Sequence, residues 1–396
     1  MSDVSTSPSP TLATNLEALG RFPEEWEATL SAQGQPKYRA KQVFRWLHNK
    51  GVYAPAAMTD LSAGLRSHLE SEGLGEPFRV AVVKRSSDTT RKLLLELSGG
   101  GNVECVLIPM TKQVSDADAA AAVEDEEDVD AAPEKTKVTL CISTQFGCAM
   151  GCKFCASGRA GLIRGLRAAE VAAQVLVAKR YVEPHEDLRN LVFMGMGEPL
   201  HHYDETARAL RLLMHPDGLG MSPRRITVST VGLVPGIHKL GRDFDGKIGL
   251  AVSLHAPNDQ LRSQIMPMND RYPIADLMQA LQDYPLPRRR RITIEYTLIG
   301  GVNDAIEHAR ELANLLRRLP VKINLIPMNP VANSGFAAPE PARVAAFQAE
   351  LARQGYSCFI RARRGDDVDA ACGQLALASD LVGRSRLARA SEKPSS

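Results

Sequence analysis

No apolar run in this 396-residue chain reaches the length of a membrane span, so no membrane partner is expected. The opening residues, Met1-Ser2-Asp3-Val4-Ser5-Thr6-Ser7, lack the basic segment and apolar stretch of a secretory signal. A paired cysteine framework is missing too. The seven cysteines, at 105, 141, 148, 152, 155, 358 and 372, are an odd number in a long chain. They suit ligands and reactive thiols in a reducing cytoplasm rather than a bridged scaffold. Charge of one sign is scarce overall, with a formal net charge of +2. That balance is local, because Asp116–Asp130 holds eight acids and no Lys or Arg, which leaves +10 on the rest. A portion that basic is compatible with a polyanion such as RNA, and equally with a solvated basic surface.

What is present reads as an ordinary globular protein, 44% hydrophobic and 24% charged, long enough for two or three domains. Residues 1–20, rich at first in Ser, Thr and Pro, are expected to be a disordered tail. A small helical domain is expected over 21–80, a β-hairpin connector over 81–110 and an acidic low-complexity loop over 111–136. The main domain is placed at 137–380, followed by a tail over 381–396. In the helical region, Lys37–Leu47 opens behind Pro36 and sets Val43, Phe44 and Leu47 on one face. Phe44 and Trp46 read as core. Lys37, Arg39, Lys41 and Arg45 are candidates to face a phosphate backbone.

From Val138 onward, strand-like runs at 138–144, 190–195, 226–232, 248–254, 292–299 and 322–328 alternate with helix-like stretches. Such alternation implies a parallel sheet with right-handed crossovers. Six units are too few for a closed eight-fold barrel, so the expected fold is α/β, an open (β/α)6 partial TIM barrel. Polar motifs follow at least five of these strands, and barrel enzymes keep their chemistry at the carboxyl ends of strands.

The densest of these motifs is Gly147-Cys148-Ala149-Met150-Gly151-Cys152-Lys153-Phe154-Cys155, a Cys-x3-Cys-x2-Cys spacing with no fourth cysteine nearby. Thiolates are the usual ligands of iron–sulfur clusters, and three ligands on a four-iron cubane leave one iron open. An open position marks a catalytic metal site rather than a closed structural one. A zinc site completed by a distant histidine, or three unligated cysteines, are the bland readings of the spacing alone.

The cysteine motif, together with Met194-Gly195-Met196-Gly197-Glu198-Pro199, resembles the radical S-adenosylmethionine (SAM) superfamily. Arg361-Ala362-Arg363-Arg364-Gly365-Asp366-Asp367, continuing to Cys372-Gly373-Gln374-Leu375, is similar to the signature of its RlmN-type adenine-C2 methyltransferases. Val103-Glu104, Cys141–Cys148, Ser253–Asp259 and Asn324–Pro330 extend the likeness over about Pro36 to Leu375.

The resemblance implies a 4Fe-4S cluster on Cys148, Cys152 and Cys155, and SAM held by Gly197, Glu198, Ser229, Ser253, His255 and Asn329. It further implies that Cys372 carries the methyl group, Cys141 is a second reactive cysteine and Glu104 is the general base. The substrates would be 23S rRNA and tRNA, with an electron-donating reductant protein, for a monomer in the cytoplasm. C2 of adenine is electrophilic, so direct transfer from SAM is unfavourable. The resemblance implies that one SAM would methylate Cys372 instead, and that a 5′-deoxyadenosyl radical from a second would activate that methyl group for addition to C2. Glu104 would then remove the C2 proton, and Cys141 would attack the sulfur of Cys372 to release RNA and leave a disulfide. Two alternatives share the motifs: an adenine-C8 methyltransferase of 23S rRNA, and a cluster-bearing RNA-binding protein without turnover.

Cys105 and Cys358 read as core residues, and His201 and His202 as surface residues near the glycine turn. Arg288–Arg291, Arg361, Arg363 and Arg364 are further candidates for phosphate contact. The acidic insert between Glu104 and Cys141 departs from the family pattern. A longer loop need not move its ends, since closure cost grows slowly with length.

Overall fold

A computed structural model describes residues 12–98, 100–110, 135–329, 331, 334–361, 364–368, 370 and 373–375. The acidic stretch 111–134, the tail 376–396 and Cys372 and Arg363 lie outside the described residues.

Residues 12–20, expected within a disordered tail, are folded instead. Leu12 forms a β-bridge with Glu76, and the Asn15 side chain caps α1 (Leu16–Leu19) by accepting from Ala18 N at 2.9 Å. Ala13, Ala18 and Leu19 are buried, an apolar set that a Ser/Thr-rich start conceals. Three more helices follow, α2 (Pro23–Ser31), α3 (Tyr38–His48) and α4 (Ala63–Ser71). Proline opens α2, where its missing N–H costs nothing, and the Glu25 carboxylate accepts from Phe22 N. Trp26, Phe44, Leu47, Leu65 and Leu69 fill the space between them.

The rest is built on one ten-stranded sheet. β1 (Phe78–Arg85), β2 (Arg91–Leu97) and β3 (Asn102–Pro109) form an antiparallel meander, and β3 pairs antiparallel with β4 (Thr136–Cys141). The region expected as a connector therefore continues the barrel sheet itself. Beyond β4 every neighbour is parallel: β7 (Glu186–Phe193), β8 (Ile226–Thr230), β9 (Gly249–Ser253), β10 (Ile292–Leu298) and β11 (Val321–Pro327). Helices cover the outer face after each crossover, so these strands are buried on both sides and read as apolar runs. The helix Ala168–Lys179 is buried over nearly all its residues because α1 packs on it from outside.

A seventh parallel strand, β12 (Cys358–Ile360), follows the helix Pro341–Arg353 and pairs with β11. Three half-buried residues carry no periodic signal, which is why the sequence pattern counts six units. The sheet ends at β1 and β12 without closing, leaving an open barrel. A separate two-stranded ribbon, β5 (Gln145–Gly147) with β6 (Leu162–Gly165), stands at its mouth.

The meander is tied to the barrel by charge as well as by the ladder. Arg91 on β2 is buried, reaches both oxygens of Glu186 at 2.8 Å and donates to Tyr181 O at 2.9 Å. Glu186→Ala strands that guanidinium without its carboxylate, and we expect a loss of about 3–5 kcal/mol in urea unfolding. A change within 0–1 kcal/mol, the range of about 0–1 expected of a surface pair, contradicts this account.

Candidate active site

The cysteine loop is held by geometry that glycine alone permits. Gly147 has φ of 81°, and a Cβ there would stand 1.9 Å from Gly161 O. That close approach lets Cys148 N donate to Gly161 O at 3.0 Å and closes the loop on the β5–β6 ribbon. On its other side, Lys153 N donates to Ile265 O at 3.0 Å, pinning the loop to the helix Asp259–Ile265. Cys148 and Cys152 are buried and Cys155 is half-buried. Burial pushes the Cys148 thiol up to about 12 and Cys152 well above its ordinary value, with the neighbouring cysteines adding to both. Metal binding to such thiols displaces their protons.

All three cysteines line one open cavity at the carboxyl ends of the strands. Gly197, Glu198, Ser229, Ser253, His255 and Asn329 line it as well. Among the described residues no three His, Cys, Asp or Glu side chains converge on a single ion position. Three thiols on one loop are the donors that a cluster of several irons takes, one thiolate to each iron, so the donor set fits that group.

Glu198 is 2% exposed and bridges two rim loops, accepting from Leu200 N at 3.0 Å and Val231 N at 2.8 Å. Burial raises its carboxyl to about 7, partly offset by those bonds and by Thr230. Gly197 before it has φ of 102°, and a Cβ there would fall 2.5 Å from Gln145 Cβ. Thus the turn can seat a carboxylate at a ligand's edge only with glycine. His255 adopts the left-handed region at φ 57°, and its Nδ1 accepts from Thr297 N at 2.9 Å. The proton therefore sits on Nε2. Burial, with Arg262 nearby, lowers its pKa to about 3, so the ring is a neutral donor at pH 7.

Glu104 and Cys141 are buried but do not line this cavity; they lie beside it on β3 and β4. Val106 pairs with Cys141, which puts Glu104 and Cys141 on the same face of the sheet. Cys372 lies outside the described residues, while Gly373 lines the cavity and its carbonyl accepts from Ala156 N at 2.9 Å.

Three residues of the site were not singled out in the sequence. Lys92 on β2 is buried with its ammonium 3.0 Å from Glu104 Oε1, in a pair that only the β2–β3 ladder creates. Glu295 on β10 lines the cavity, with Oε1 accepting from Asn324 Nδ2 at 3.0 Å and Oε2 buried without a hydrogen bond. Burial raises its pKa. A lone acid in the apolar run Ile292–Leu298 was the available signal. Arg262 is the third. Of the basic helix, Lys37 pairs with Glu27, and Lys41 and Arg45 both pair with Asp217, so their charges are already partly balanced. Arg288 and Arg289 are exposed, while Arg361 lines the cavity.

Comparison with known proteins agrees with this geometry. The Radical SAM superfamily profile matches residues 142–315, and that of the ribosomal RNA large subunit methyltransferase N-terminal domain matches 15–73. The chain is 58% identical to a dual-specificity RNA methyltransferase RlmN of Sorangium cellulosum, over 92% of this chain and 96% of that one. It is 43% identical to the protein of that name from Geobacter sulfurreducens, over 91% and 92%. A crystal structure of a radical SAM methyltransferase from Sphaerobacter thermophilus superposes with a TM-score of 0.81 at 40% identity, covering 92% and 99%.

The raised carboxyl of Glu198 has a measurable consequence for the metal-free protein. Between pH 4.5 and 7 the folded state keeps a proton that the unfolded state has released, so stability falls as pH rises through that window. Relative to Glu198→Gln, the unmodified protein should lose about 3 kcal/mol across it. Parallel pH curves of urea midpoints for the two proteins refute the assignment.

Proposed function

Because this chain belongs to the RlmN family of radical SAM RNA methyltransferases, we propose that it methylates C2 of an adenine in 23S rRNA and of an adenine in tRNA. The observation that carries this reading is the single cavity where three thiols, a neutral histidine donor and a buried carboxylate meet. Cys148, Cys152 and Cys155 would hold a 4Fe-4S cluster, leaving one iron without a protein ligand. When bound, the cluster and SAM supply the methyl group and the hydrogen-abstracting radical.

The chain's own residues do the rest. Glu198 accepts from the ammonium group of SAM with lone pairs not used by Leu200 and Val231. His255 offers its Nε2–H, and Gly197, Ser229, Ser253 and Asn329 complete the cradle. Cys372 carries the methyl group to the base as a thioether. Glu104 takes the C2 proton, with Lys92 fixing its orientation and balancing its charge. Once the adduct has passed its unpaired electron to the redox partner, Cys141, on the same sheet face as Glu104, would attack the sulfur of Cys372; the S–S bond forms as the bond from that sulfur to the methylene carbon breaks, the carbon takes a proton to become the methyl group of the released RNA, and cytosolic reductants reset the disulfide. An electron-donating protein supplies the cluster. Reaching C2 requires a splayed or flipped nucleotide, and Arg288 and Arg289, which are exposed, would contact phosphate.

The test is anaerobic loading with iron and sulfide, then reaction of rRNA and tRNA fragments with methyl-labelled SAM. Digestion should give labelled 2-methyladenosine, and 8-methyladenosine as the product overturns the C2 assignment. Cys372→Ala should abolish methylation while keeping the cluster's absorbance. Glu104→Gln should cut the rate by about 10²–10⁴ and accumulate a protein–RNA adduct stable on denaturing gels. Normal turnover in either variant refutes the assigned role.

A further inference from the structure

Arg262, in the helix Asp259–Ile265, is fully buried at 0% exposure, an unusual place for a cation. Its hydrogen bonds are nearly all made to neutral oxygens. Nε donates to Leu254 O at 3.1 Å and Nη1 to Asn269 Oδ1 at 3.0 Å, while Nη2 reaches Val231 O at 2.5 Å and Ser253 O at 3.3 Å. Among the described residues no carboxylate stands within ion-pair distance of it. Asp259, one turn earlier, instead accepts from Ile274 N at 2.8 Å. Burial lowers the arginine's pKa to about 10, so it stays charged at neutral pH.

A buried charge without a counter-charge is costly by several kcal/mol, and hydrogen bonds to carbonyls offset only part of that cost. The cysteine loop is where a counter-charge would arise. Ile265 and Met266, one turn further along, share one buried apolar cluster with Cys148 and Cys152, and Lys153 N bonds to Ile265 O.

We infer that Arg262 is the resident counter-cation of the iron–sulfur cluster: it makes the cluster easier to reduce while its fork holds the loops after β8 and β9 in place. This rests on the cluster reading above. The cluster with its thiolates is anionic, and reduction adds one more negative charge. A fixed positive charge in a water-poor site therefore stabilises the reduced form more than the oxidised one. The same side chain ties that charge to the backbone of Ser253 and Val231 at the rim of the cavity.

Arg262→Gln keeps an amide donor and removes the charge; Arg262→Lys keeps the charge and loses the fork. Both variants and the unmodified protein are loaded anaerobically, their iron and sulfide measured, and their clusters titrated redox-potentiometrically with electron paramagnetic resonance detection. Arg262→Gln should load, with its reduced-to-oxidised ratio at fixed potential down at least tenfold, a shift of about 59 mV to more negative potential. Arg262→Lys should stay within twofold of the unmodified protein. A glutamine variant that fails to load beside a lysine variant that loads also supports the inference, since charge is then needed to hold the cluster. An unchanged potential in Arg262→Gln overturns it, as does equal failure of both variants, the signature of a purely structural clamp. An unmodified protein that takes up no iron and sulfide overturns the cluster reading and this inference with it.

Discussion

The chemistry at the barrel mouth depends on one constraint: three thiols must be kept inside apolar surroundings on a loop of eight residues, Cys148 to Cys155. The fold meets it with two anchors of different kinds. A glycine at positive φ lets the loop close on its own ribbon at Gly161, and the backbone of Lys153 hangs the other end on Ile265. Both are backbone contacts, so neither anchor uses a cysteine sulfur. The same anchoring brings the helix Asp259–Ile265 and its arginine against the loop, and through that arginine the turns after β8 and β9.

The cavity accumulates groups that a stable core would exclude. Glu198 and Glu295 are buried carboxyls with raised pKa values, His255 is held neutral at positive φ, and Arg262 is fully buried with its hydrogen bonds made to neutral oxygens. Each costs folding free energy. Their compensation is electrostatic: in a low dielectric, a ligand bearing an ammonium, a carboxylate and a metal cluster meets preset partners that have nothing to reorganise. Stability is recovered elsewhere, in the buried apolar side chains of β10 and its neighbours, such as Ile292, Ile294 and Leu298, and in the Arg91–Glu186 pair that locks the meander to the barrel.

Much of this was legible in the sequence, for stated reasons. Six strands of the parallel sheet announce themselves because strands buried on both faces must be apolar along their length. The rim motifs are legible because glycines, serines and a histidine interrupt those runs at their ends. Residues 12–20 were misread because Ala13, Ala18 and Leu19 bury themselves only against distant partners such as the segment at Gly73–Glu76. β12 was missed since three half-buried residues have no period to show. Lys92 and Arg262 were invisible for a deeper reason. Their meaning lies in what the ladder or the helix sets beside them, Glu104 in one case and the rim carbonyls in the other. The sequence neighbourhood holds no trace of either.

The central claim is that three cysteines leave one iron open and that SAM fills it. Electron–nuclear double resonance on the reduced cluster, with SAM labelled in its amino nitrogen or its carboxylate oxygens, tests this most directly. Coupling of both labels to the cluster spins is the predicted result. A fully loaded cluster that shows no coupling to either label in the presence of saturating SAM, or a protein that binds zinc at the three thiols instead, would contradict the account.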